Sequence, residues 1–101
     1  ARRRGIKTVT IVNNNHGLSQ GFRNLTIAYG DHDKSRMNEC FEYRETDFAR
    51  VAQAFDCFGV TVDKPRDLRK AFEAAMASEL PAVIDVKTEF AAQATLPWVP
   101  S

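Results

Sequence analysis

The run Thr8-Val9-Thr10-Ile11-Val12, followed directly by Asn13-Asn14-Asn15-His16-Gly17, constrains this chain more than any other stretch. An apolar β-forming run without clean polar alternation reads as a strand buried on both faces of a parallel sheet. It ends in small amides and a glycine that frees the backbone to turn. Ligands of open α/β sheets collect where strands leave the sheet at their carboxyl ends. An amide oxygen and a backbone carbonyl two residues later are hard, neutral donors. Mg²⁺ accepts such donors beside a carboxylate and substrate phosphate oxygens. The same residues also suit a plain turn, because asparagine bonds nearby backbone N–H groups and tolerates the left-handed region. On residue types alone both readings stay open.

The rest of the chain reads as strands alternating with amphipathic helices. Leu18, Phe22, Leu25 and Tyr29 fall at helical spacing and are expected to pack on the sheet, with Gly30 as the stop. Residues 31–46 are polar and weakly periodic, which predicts a surface loop. His32 lies there between Asp31 and Asp33, and an exposed loop histidine is a simpler reading than a metal site. Thr46 can cap the next helix, and Phe48, Val51, Ala52 and Phe55 give it a core-facing stripe. Gly59–Val62 reads as a short strand, and Pro65 as the first turn of a helix carrying Leu68, Ala71, Phe72, Ala75 and Met76. Pro81 opens a last strand through Val86. Asp85 inside that apolar run needs a partner if buried, and we read its role as structural hydrogen bonding.

A net charge of +1 gives no reason to expect nucleic acid or an anionic membrane as partner. The basic run Arg2-Arg3-Arg4 reads as a solvated helix end. No membrane-length apolar run or signal-peptide pattern is present in these residues, so no membrane partner is expected. Cys40 and Cys57 form no metal-ligand pattern and read as free, packed thiols of a reducing, cytoplasmic compartment. The sequon Asn24-Leu25-Thr26 would matter only in a secreted protein.

Ile11-Val12-Asn13-Asn14-Asn15-His16-Gly17 resembles the closing half of the thiamine-diphosphate motif, which opens with Gly-Asp-Gly and ends in Asn-Asn after a buried strand. Asp47–Phe55 and Pro81–Val86 are similar to later elements of the same domain, in the order used by acetolactate synthase-like enzymes. The resemblance runs over most of residues 4–89. It implies a three-layer α/β sandwich with a parallel sheet, the C-terminal part of a thiamine-diphosphate-binding domain over residues 1–89, and an irregular tail over 90–101. Ala1–Lys7, with cations and then Gly5, reads as the last turn of a helix, so the chain is expected to be a fragment of that domain.

The resemblance also implies a chemistry. Thiamine diphosphate and Mg²⁺ are the expected cofactors, with Asn14, Asn15, His16 and Gly17 at the cofactor. The metal ligands carried over are the Asn14 side chain and the His16 backbone oxygen, not its imidazole. Gln20 is a candidate pocket residue, at a place where pyruvate decarboxylase-type enzymes carry a glutamate. The expected function is carboligation or lysis next to a carbonyl of a 2-keto acid, by an acetolactate synthase-like parent enzyme. The alternatives are a 2-keto acid decarboxylase or 2-hydroxyacyl lyase of the same superfamily, and a non-catalytic α/β binding module. Leu18-Ser19-Gln20 and Arg23 stand where acetolactate synthases carry Gly-Met-Val and Trp, so the substrate does not transfer. In the family the glutamate that activates the cofactor belongs to a partner subunit. The expected partners are therefore the remaining domains of the parent and a second subunit, in a homodimer or homotetramer. This chain alone is expected to be inactive.

Overall fold

The computed structural model describes residues 1–30 and 34–92. His32 with its aspartate neighbours, and the tail with Pro97, Trp98 and Pro100, lie outside the described residues. So does the side chain of Phe22.

The apolar runs form a parallel sheet of three strands, β1 (Val9–Asn14), β2 (Phe58–Val62) and β3 (Ala82–Lys87), in the order β1-β3-β2. The register sets Val12 beside Asp85 and Asp85 beside Thr61. The helices are α1 (Ser19–Tyr29), α2 (Lys34–Phe41), α3 (Phe48–Ala54) and α4 (Leu68–Ala77). Ala71 and Ala75 of α4 close over Val62, Ala82 and Ile84 to make the core. On the other face α3 lies so close to β2 that a Cβ on Gly59 would sit 2.1 Å from the carbonyl oxygen of Ala49. Side chains alternate along a strand, so Gly59 and Val60 look to opposite faces. Helix, sheet and helix thus form the three layers expected.

Two local expectations hold. A 3₁₀ turn at Arg2–Arg4 is closed by Gly5 at φ 64°, whose N–H donates to the Arg2 carbonyl. Pro65 opens a 3₁₀ turn that leads into α4. Among the described residues no helix is long and apolar enough to cross a membrane.

Other expectations change. The strand buried on both faces is β3, where Ile84 and Asp85 are fully inaccessible. β1 lies at the sheet edge, so Ile11 is 52% exposed. Residues 31–46 are not all loop, because α2 forms within them; its polar sequence hides the periodicity, and it is held by packing on α1. That packing replaces the expected docking of α1 on the sheet, and Leu18 and Tyr29 stay exposed. The cap of α3 is Asp47, whose Oδ1 accepts from the Arg50 N–H at 2.9 Å, while the Thr46 hydroxyl turns back to the Arg44 carbonyl. With the frame moved by one residue, Ala49 and Ala52 meet the sheet, and Val51 and Phe55 remain exposed. Those two side chains flank an apolar groove of about 630 Å³ over Thr8, Thr10, Val12 and Val83. Cys40 is exposed and Cys57 half-buried, both unpaired, so neither is a full packing residue.

Candidate functional site

The Asn run leaves the sheet at the carboxyl end of β1, where Asn14 pairs with Lys87. Asn14 is 5% exposed. Its Nδ2 donates to Asp85 Oδ1 at 2.9 Å and to the Thr46 carbonyl at 3.0 Å. Its Oδ1 faces the loop and accepts from the His16 N–H at 3.3 Å, the local bond of an Asx turn. His16 is held at φ 60°, in the left-handed region. One residue on, the pattern repeats: Asn15 Oδ1 accepts from Gly17 N–H at 3.2 Å, and Asn15 Nδ2 donates to Ser19 Oγ at 3.0 Å, at the start of α1.

The segment after α2 clamps this turn. The His16 carbonyl accepts from the Tyr43 N–H at 2.6 Å, and the Leu18 N–H donates to the Phe41 carbonyl at 2.9 Å. Gly17, bridged to Glu42, leaves no room for a side chain: a Cβ there would lie 2.2 Å from the Phe41 carbonyl oxygen. Asn13 is apart from this arrangement, its Oδ1 accepting from the Thr88 hydroxyl at 2.5 Å. Beneath the turn, Asp85 Oδ2 accepts from the Phe48 N–H and from Lys87 Nζ, both at 3.1 Å. Lys87 Nζ also reaches the Thr46 carbonyl at 3.3 Å. His16 Nδ1 is buried and finds no partner among the described residues.

Asn14, Asn15, His16 and Gly17 form one turn. Gln20 is exposed on the first turn of α1, and shares a groove of about 520 Å³ with Asn13, Asn15, Gly17 and Asn24. The clamp by Phe41–Tyr43 and the Thr46 carbonyl carry no sequence signal. Lys87 had one: two residues after Asp85 on a strand, it points to the same face. Among the described residues, no group of three or more His, Cys, Asp and Glu side chains gathers as a metal site. The Asn14 amide oxygen and the His16 carbonyl of this turn are both neutral oxygens.

Residues 1–86 match the family model described as the thiamine pyrophosphate enzyme, C-terminal TPP binding domain. The chain belongs to this family. No curated protein matches it closely enough to extend the comparison. The match takes in β1, β2, β3 as far as Val86, the Asn turn and the Asp85 position, so the turn belongs to a thiamine pyrophosphate-binding domain of a thiamine pyrophosphate-dependent enzyme.

Proposed function

We propose that this thiamine pyrophosphate-binding domain holds the cofactor's diphosphate through Mg²⁺, in an acetolactate synthase-like parent that joins or cleaves bonds next to the carbonyl of 2-keto acids. The observation that carries the reading is the Asn14 amide. Its nitrogen is engaged below by Asp85 and Thr46, so its oxygen is the atom presented to the loop. Two residues on, the His16 carbonyl accepts one hydrogen bond and retains a second lone pair. Both are the hard oxygens that Mg²⁺ takes, so the donor set fits the metal. A carboxylate from the parent's Gly-Asp-Gly and the diphosphate oxygens would complete the shell.

When bound, thiamine diphosphate supplies the electron sink for cleavage next to a carbonyl. The share of this chain is to position it. Asn14 and the His16 carbonyl would fix the diphosphate end, with Asn15 and Gly17 shaping the turn beside it. Gln20 can donate and accept hydrogen bonds but cannot titrate, so it cannot act as a general acid. If the groove it shares with Asn13 and Asn15 faces the cofactor, Gln20 would supply hydrogen bonds there but no proton, which would favour a second carbonyl as acceptor over simple protonation to an aldehyde. The activating glutamate would come from a second subunit of a homodimer or homotetramer, and the free thiols favour a cytoplasmic setting.

The test is calorimetry on the full-length enzyme. Asn14→Ala should weaken Mg²⁺ and thiamine diphosphate binding together, whereas Asn13→Ala, which loses the bond from Thr88, should act mainly on local stability. Unchanged cofactor affinity in Asn14→Ala would remove the metal assignment.

A further inference from the structure

We infer that Asp85 is a positioning residue for the metal site: it fixes which end of the Asn14 amide faces the cofactor. The inference rests on the reading of Asn14 as a metal ligand and adds how that ligand is oriented.

An asparagine amide can point either its oxygen or its nitrogen at a given spot, and only its partners decide. Two acceptors lie on the inner side of Asn14, Asp85 Oδ1 at 2.9 Å and the Thr46 carbonyl at 3.0 Å. Turned over, the amide would set its oxygen against both of them and its NH₂ toward the His16 N–H. Three favourable bonds would become three like-to-like contacts. NH₂ would also face the cation, and it has no lone pair to offer.

Asp85 is in turn held as an acceptor. It is fully inaccessible, and its other oxygen receives the Phe48 N–H and Lys87 Nζ. These two donors belong to the start of α3 and to β3 itself, so the carboxylate cannot rotate without abandoning them. The parallel register places Asp85 beside Val12, two residues before Asn14, so the contact is built by the sheet and not by the loop. A carboxylate at this point contributes without touching the metal. Outer partners that orient metal ligands typically govern about 10–100-fold in metal affinity.

The experiment uses the full-length enzyme with saturating thiamine diphosphate and Mn²⁺ as probe, the bound fraction read by electron paramagnetic resonance. Asp85→Asn keeps the shape but sets an amide between Asn14 Nδ2 on one side and the Phe48 N–H and Lys87 on the other. Whichever way it turns, one side meets donor with donor. Mn²⁺ affinity should fall about 10–100-fold. The same substitution is made in Asn14→Asp, whose carboxylate offers an oxygen to the metal either way round and needs no orienting, although it gives up the bond to the Thr46 carbonyl in both members of that comparison. There Asp85→Asn should change Mn²⁺ affinity by less than about threefold, whereas a merely structural Asp85 would cost about the same in both backgrounds.

Wild-type Mn²⁺ affinity in Asp85→Asn, or an equal loss in the Asn14→Asp background, would overturn the proposal. If Asp85→Asn alone does not fold, the double variant is read against Asn14→Asp: affinity within about threefold supports the proposal, and a larger loss overturns it. Asn14→Ala separates the two readings. Its wild-type Mn²⁺ affinity would remove the metal assignment itself, whereas loss in Asn14→Ala with none in Asp85→Asn removes only the positioning role.

Discussion

Gly17→Ala is the substitution that most directly tests the clamp on the Asn turn. A Cβ at Gly17 would lie 2.2 Å from the Phe41 carbonyl oxygen and 2.5 Å from the Phe90 ring. The ring can swing aside, but the carbonyl is backbone and cannot move without the end of α2 and the segment that follows it. Relief therefore means peeling Phe41–Tyr43 away from the turn. That breaks the bonds from Leu18 N–H to the Phe41 carbonyl and from Tyr43 N–H to the His16 carbonyl. At about 1 kcal/mol each, the two bonds contribute about 2 kcal/mol. Opening of the clamp should become about 30-fold more frequent, since each 1.4 kcal/mol is tenfold. Hydrogen exchange on the full-length enzyme reads this directly: protection of the Leu18 and Tyr43 amides should drop about 30-fold, while that of Ile84 in β3 is unchanged. Protection of both loop amides within about threefold of wild type would refute the reasoning.

Gly59→Ala should act on the fold instead, because its Cβ would sit 2.1 Å from the Ala49 carbonyl oxygen and push α3 off the sheet. A loss of about 1–3 kcal/mol in denaturant unfolding of the full-length enzyme is expected, with the exchange of Leu18 and Tyr43 unaltered. Gln20→Glu should shift product from carboligation toward free aldehyde, measured by product analysis of the parent with a 2-keto acid, with and without an acceptor aldehyde. Free aldehyde as the main wild-type product in both conditions would move the parent to the decarboxylase branch. On the proposed reading, the isolated 101-residue chain should turn over no 2-keto acid even with Mg²⁺ and thiamine diphosphate supplied, since that reading takes a metal carboxylate and the activating glutamate from elsewhere. It should also self-associate through the open β1 edge, so a monomeric sample with a sharp cooperative melt would count against that view.

The order of elements and the place of the turn were legible in the residues. The β-forming run Thr8–Val12 gave β1, Gly5 and Pro65 marked a stop and a start, and apolar spacing gave α1, α3 and α4. These signals are local: a cap, a turn or a periodicity is written within a few residues of where it acts. Frame and orientation were not legible in this way. Whether Thr46 or Asp47 caps α3 depends on a shift of one residue, and the shift decides that Ala49 rather than Phe55 meets the sheet. The polar helix α2 gave no periodicity because its support is α1, not the core. The asparagines could be named as donors from the sequence, but the end of the Asn14 amide that faces outward could not. That is decided by a carboxylate 71 residues away, brought beneath the turn by the parallel pairing of β1 with β3. Short-range preferences carry no information about such a contact, because it exists only once two distant strands share a register.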